Sequence, residues 1–190
     1  MPRPNIKQKD IEDAAIRLFA SKGLSRTTIR DIAAAAGVTE GALYRHYPGK
    51  DEMAWALFVR ELDRFTRDLG DRLFDPLLAG AGRLEAGIRF MYGYYAEDPV
   101  TFQFIMLTQH GFPGEKLLNE ETNPNDMAVR FIAGLMERGE IPAGDPVAMA
   151  GMVMGLVLQP LVMHCYGRLQ LSPALVDSVV AAAKRTMGLD

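Results

Sequence analysis

The chain has 190 residues, 48% hydrophobic and 24% charged, which excludes wholesale disorder and fits one moderate domain or two small ones. The net charge of -3 hides an asymmetry. Residues 1–50 carry nine Lys and Arg against five Asp and Glu, a balance of +4, and the rest carries twelve against nineteen, or -7. A basic head on an acidic body signals a nucleic-acid contact at one end. Cys165 is the only cysteine, so an intrachain disulfide or a thiolate-rich zinc site is excluded and a reducing compartment is the simplest reading. The start, Met1-Pro2-Arg3-Pro4, lacks the apolar stretch of a signal peptide, and a cytoplasmic protein is expected.

Apolar residues recur with a helical period throughout, and strand-like alternation is scarce. Ile11, Ala14, Ala15, Leu18 and Phe19 mark one helix face, which Gly23 ends with a left-handed cap. Thr27 or Thr28 caps a second helix carrying Ile29, Ile32, Ala33 and Ala36, and Gly37 stops it. Thr39 caps a short third helix through Leu43 and Tyr44. After Pro48-Gly49, Asp51 and Glu52 open a long fourth helix bearing Trp55, Phe58, Leu62, Phe65 and Leu69. Downstream, a capping residue precedes proline five times: Asp75-Pro76, Asp98-Pro99, Asn123-Pro124, Asp145-Pro146 and Ser172-Pro173. Such pairs suit helix starts, because the side chain accepts from free N–H groups and proline has none to leave unpaired. The expectation is an all-α protein of about nine helices.

Thr28 to Tyr47 reads as helix, glycine-centred turn and short helix, the spacing of a helix-turn-helix. Ile29, Ile32, Ala33, Val38 and Leu43 would hold the pair together. Gly41 and Ala42 let backbone approach base edges, and Ala42 suits a thymine methyl. Glu40, Arg45 and His46 are the expected sources of sequence choice, with Arg30 on phosphate. His46 has no second His or carboxylate at metal-ligand spacing. Arg3 and Lys7 would form a basic N-terminal arm.

Thr27-Thr28-Ile29-Arg30-Asp31-Ile32-Ala33, Ala36-Gly37-Val38-Thr39 and Gly41-Ala42-Leu43-Tyr44-Arg45-His46-Tyr47-Pro48-Gly49-Lys50 together closely resemble the DNA-binding domain of tetracycline-repressor-like (TetR family) transcriptional regulators. The resemblance covers roughly residues 7–58 without gaps. It implies phosphate contacts for Thr28, Tyr44 and Lys50, and a recognition helix starting at Thr39. Tyr47 is assigned to core packing. It implies a helix-turn-helix domain at 1–50, continuing into the fourth helix, and an effector-binding and dimerisation domain at 51–190.

Val147 to Gly167 is 21 residues without a charged side chain, interrupted by Gln159, Pro160 and His164. The reading is a helix buried in a core or subunit interface, not a membrane span. Gly151 and Gly155 allow close packing, and this helix with the last one is the expected homodimer surface. Met91, Tyr94, Tyr95, Phe102, Met106, Phe131 and Met163 are candidates to line an apolar effector cavity, since methionine repacks easily. The resemblance implies a small-molecule effector there that separates or tilts two reading heads. Pro160 would kink its helix and shape the cavity wall.

The function expected is a ligand-responsive regulator, by family default a repressor. It would bind a palindromic double-stranded DNA operator as a homodimer and be released by a small apolar effector. No cofactor, metal or membrane is expected. An enzyme is disfavoured, because no phosphate-cradling glycine motif or H-E-x-x-H is present. The alternative is a helical protein-interaction adaptor without DNA binding, which leaves the basic head unexplained.

Overall fold

A computed structural model describes residues 6–107, 111–112 and 123–189. The described residues form nine helices and no strand. They are α1 (Ile6–Lys22), α2 (Ile29–Ala36), α3 (Glu40–Tyr44), α4 (Lys50–Leu73), α5 (Gly80–Glu97), α6 (Pro99–Leu107), α7 (Pro124–Glu137), α8 (Pro146–Cys165) and α9 (Pro173–Met187).

The local signals act as the sequence suggests. Gly23 and Gly37 adopt φ of +81° and +65°, the left-handed conformation that glycine enters without steric cost. At Gly37, the Val38 N–H donates to Ala33 O (3.0 Å) and the Gly37 N–H to Ala34 O (3.3 Å), so the last carbonyls of α2 find partners. Thr28 closes a capping box with Asp31: each side chain accepts from the other's backbone N–H, at 3.1 and 3.0 Å. Four of the five capped prolines open helices: α6, α7, α8 and α9. Asp75-Pro76 instead makes a turn. The Asp75 carboxylate accepts from Leu77 N–H at 2.8 Å, and α5 begins only at Gly80, whose N–H donates to Glu140.

The contacts divide the chain into two compact units. One holds Met1–Arg64 and Glu97–Asn119, the other Phe65–Ala96 and Glu120–Asp190. The first unit buries Phe19 of α1, Phe58 of α4 and Phe104 of α6 in one aromatic cluster. Phe19 stacks on Phe104 (6.0 Å between centroids), and Phe58 meets Phe104 edge-on (6.1 Å). Buried Thr27 donates its hydroxyl to Gly23 O at 2.9 Å, fixing the α1–α2 turn.

The second unit packs Val179, Val180 and Ala183 of α9 and Ala150, Val153, Val157 and Leu161 of α8 inward. Lys184 of α9 pairs with Glu85 of α5 (2.6 Å) in a half-buried contact, and Asp177 pairs with Arg89 (2.7 Å) in an exposed one worth little by itself. Among the described residues one helix, α8, is long and apolar enough to cross a membrane by length and composition alone. Only 22% of its most apolar stretch is buried. The expected burial therefore exists within the chain on one stripe only. Val147, Met152 and Met163 are exposed, and a Cβ on Gly151 or Gly155 would meet nothing within 4 Å.

Helix α8 runs through Pro160, whose ring nitrogen has no proton to give Leu156 O. One turn earlier, the buried Tyr92 hydroxyl donates to Val157 O at 3.0 Å. Burial pushes the Tyr92 phenol from 10.0 up to about 12. A phenol whose value is raised by folding stabilises the fold fully below pH 10, and that contribution is lost as pH rises through about 12. Urea unfolding followed from about pH 8 to about pH 11.5 should show stability declining, and the decline should be shallower for Tyr92→Phe.

Candidate nucleic-acid interface

The helix-turn-helix is held from below by apolar anchors. Ile32 and Leu43 are fully buried and Ala33 nearly so, while Ile29 and Val38 are half-buried at the edge. This leaves Thr28, Arg30, Thr39, Glu40, Gly41, Tyr44, Arg45 and His46 exposed and Ala42 half-buried. Arg30, Glu40, Arg45 and His46 make no ion pair among the described residues. Tyr44 is 55% exposed, an aromatic ring left in water with its hydroxyl unbonded among the described residues. Thr39 precedes α3 in extended conformation, but its hydroxyl makes no capping bond and stays available. Thr28 is occupied as a cap, yet remains exposed. Arg3 lies outside the described residues, and Lys7 falls within α1.

Lys50 differs from its neighbours. It is half-buried, and its ammonium donates to Leu24 O at 2.9 Å and lies 3.5 Å from Asp51. The lysine thus ties the start of α4 to the α1–α2 turn.

A second polar feature underlies the reading helix. Glu12 of α1 is only 7% exposed. Its Oε1 accepts from the Tyr47 hydroxyl at 2.8 Å and from Gln8 at 2.9 Å, and its Oε2 accepts from Arg60 of α4 at 2.6 Å. Burial pushes the Glu12 carboxyl up, but hydrogen bonds from Arg60, Tyr47 and Gln8 outweigh it and hold the group below its ordinary value. Tyr47 is pushed up to about 12, first by burial and then by its bond to Glu12. Reading Tyr47 as packing alone missed this network. The available signal was the register: Glu12 shares the i, i+3, i+4, i+7 stripe with Ala15, Ile16 and Phe19, all buried.

In the second unit, an apolar cavity of about 40 Å³ lies between Leu69 and Leu73 of α4, Met91 of α5, Phe131 of α7, and Val153 and Val157 of α8. Of the candidate effector residues, Met91 and Phe131 meet here. Tyr94 sits edge-on to Phe65 (5.2 Å). Tyr95 packs on His164, with its hydroxyl 3.4 Å from the Cys165 sulfur. Met163 is exposed, and Phe102 and Met106 belong to α6 in the first unit. Among the described residues no group of three or more His, Cys, Asp or Glu could hold a metal ion.

Known proteins share the helix-turn-helix family signature and the all-helical fold. Residues 11–57 match the family described as bacterial regulatory proteins, tetR family. The HTH-type transcriptional regulator SrpR of Pseudomonas putida is 46% identical over 158 residues, covering 77% of this chain and 70% of that protein. The HTH-type transcriptional repressor KstR2 of Mycobacterium tuberculosis is 34% identical over 96 residues, and the match covers 49% of this chain and 48% of that one. The chain thus spans about half the length, or less, of the first curated relatives it matches. A tetR-family regulatory protein from Rhodococcus RHA1 superposes with a TM-score of 0.80 at 20% identity, covering 97% of this chain and 98% of the other. The helix-turn-helix, the all-helical fold and the long match to SrpR place this chain in the tetR family of bacterial regulatory proteins.

Proposed function

We propose that this protein is a ligand-responsive repressor that reads a palindromic double-stranded DNA operator as a homodimer. The observation that carries the reading is the uncommitted face of the helix-turn-helix. Thr39, Glu40, Tyr44, Arg45 and His46 are exposed together, and their side-chain polar groups are unbonded among the described residues. Hydroxyls and cations on such a face suit phosphate oxygens, and Arg45 and Glu40 offer the donor and acceptor that distinguish base edges. KstR2, named as a transcriptional repressor, supports the sign of regulation. In this reading residues 1–50 and the start of α4 read DNA, and the effector and dimer surfaces lie on the part of 51–190 that forms the second unit, 65–96 and 120–190.

One recognition helix reads few base pairs, so specific affinity calls for two heads at fixed spacing. The uncovered stripe of α8, with Gly151, Met152, Gly155 and Met163, is the proposed dimer surface. The helix holds no Asp, Glu, Lys or Arg, and exposed apolar surface interrupted only by Gln159 is stabilised by burial against an identical helix. Met152→Glu combined with Gly155→Glu should convert a dimer to a monomer in sedimentation velocity. The same variant should lose affinity for a two-half-site duplex by about a hundredfold or more. A variant that stays dimeric would exclude α8 as the interface.

The effector would enter the apolar cavity. Its about 40 Å³ holds little more than a few waters, so a ligand must displace the wall, and Met91 is the most adaptable part of it. A ligand releases DNA only by preferring the conformation whose heads miss the half-sites.

Selection of bound fragments from the source genome tests DNA reading directly and yields the operator. Affinity for the selected duplex should fall with salt, with a log–log slope of about −0.9 per neutralised phosphate. Tyr44→Phe should weaken binding to all duplexes alike, by severalfold. Arg45→Ala should instead alter the ranking among them, by about 1–3 kcal/mol at the contacted position. Equal behaviour of the two variants would refute the assignment.

A further inference from the structure

Glu12 lies outside the exposed reading face, yet three elements converge on it. Helix α3 has only five residues, too few to be stable alone. Its N-cap side chain is unengaged, and its C-cap is Arg45 in helical conformation, not a glycine. Its pose therefore depends on tertiary anchors. Leu43 supplies one, an apolar contact without direction. The Tyr47 hydroxyl supplies another that is directional, and it sits within three residues of Tyr44, Arg45 and His46. The Tyr47 and His46 N–H groups both donate to Leu43 O at 2.9 Å, so Tyr47 is rigidly continuous with the end of α3.

The other oxygen of the same carboxylate holds Arg60, whose second Nη pairs with Glu61 at 2.9 Å. Arg60 lies one turn before Arg64, the last α4 residue of the first unit, and α4 continues to Leu73 in the second. A buried carboxylate is costly unless every donor is in place, so the three groups are held as one. We propose that Glu12 is a positioning residue: it joins Tyr47 to Arg60 and so sets the recognition helix by the position of α4. The proposal rests on the DNA-reading function given above, but the joint itself is testable without DNA.

Amide hydrogen exchange on the full chain reads it. Arg60→Met keeps the aliphatic stem and removes the ion pair, and Tyr47→Phe removes one hydroxyl. Each should speed exchange of the His46 and Tyr47 amides by about fivefold, although Arg60 is on another helix. Because both act through one carboxylate, the double variant should exchange no faster than about the faster single, whereas independent effects would multiply to about 25-fold. Glu12→Gln keeps an acceptor for Tyr47 and loses the charge, so it should reproduce the Arg60→Met pattern. Unchanged exchange in Arg60→Met, or multiplying effects, overturns the joint.

Affinities for the duplex selected by the wild type should follow the same non-multiplying pattern, each single variant losing about fivefold. A purely structural role would lower the melting temperature and leave the affinity of the folded protein intact, which overturns the positioning role. If the wild type selects no duplex, the proposed function fails, and the exchange data still decide the joint.

Discussion

A carboxylate inside a helical core demands compensation, and much of the first unit is arranged around that demand. Glu12 is 7% exposed, and hydrogen bonds from Arg60, Tyr47 and Gln8 outweigh the cost of that burial and favour its charged form. Removing Arg60 would take away the counterion, whereas removing Tyr47 or Gln8 would leave one carboxylate oxygen short of a donor. The requirement is therefore geometric before it is stabilising. It fixes where the end of α3 and the middle of α4 stand relative to α1. The apolar cluster of Phe19, Phe58 and Phe104 supplies bulk cohesion, and the carboxylate supplies register.

The fold was legible wherever a residue acts on its own neighbourhood. Gly23 and Gly37 announce left-handed caps because no other residue enters that conformation cheaply. Asp145-Pro146 and Ser172-Pro173 announce helix starts because side chain and ring both answer the same unpaired N–H groups. Asp75-Pro76 has the same letters but is followed by Leu77-Leu78-Ala79-Gly80, and its carboxylate is consumed in a turn. The exposed face of the helix-turn-helix was legible for a related reason: Ile32, Ala33 and Leu43 must point inward, so the polar residues between them point out.

Long-range partners were not legible. Glu12 and Arg60 are 48 positions apart, and no local pattern says that they meet. Lys50 reads as a phosphate ligand by position, but its ammonium also reaches Leu24 O, 26 positions earlier. Helix α6 looked like part of the effector-binding body, yet Phe104 packs on Phe19 and Phe58. Aromatic composition could nominate a cavity wall, but only packing shows that Met91 and Phe131 share one and that Tyr95 faces Cys165.

The small cavity gives the proposed switch its physical form. At about 40 Å³ it is filled almost entirely by its own walls, and packed interiors respond to insertion by shifting between discrete arrangements. Leu69 and Leu73 are part of that wall, and both lie on α4. The same helix also carries Arg60 of the first unit. The acidic body offers no attraction for DNA of its own, so under the proposed function operator affinity would rest on the placement of two basic heads.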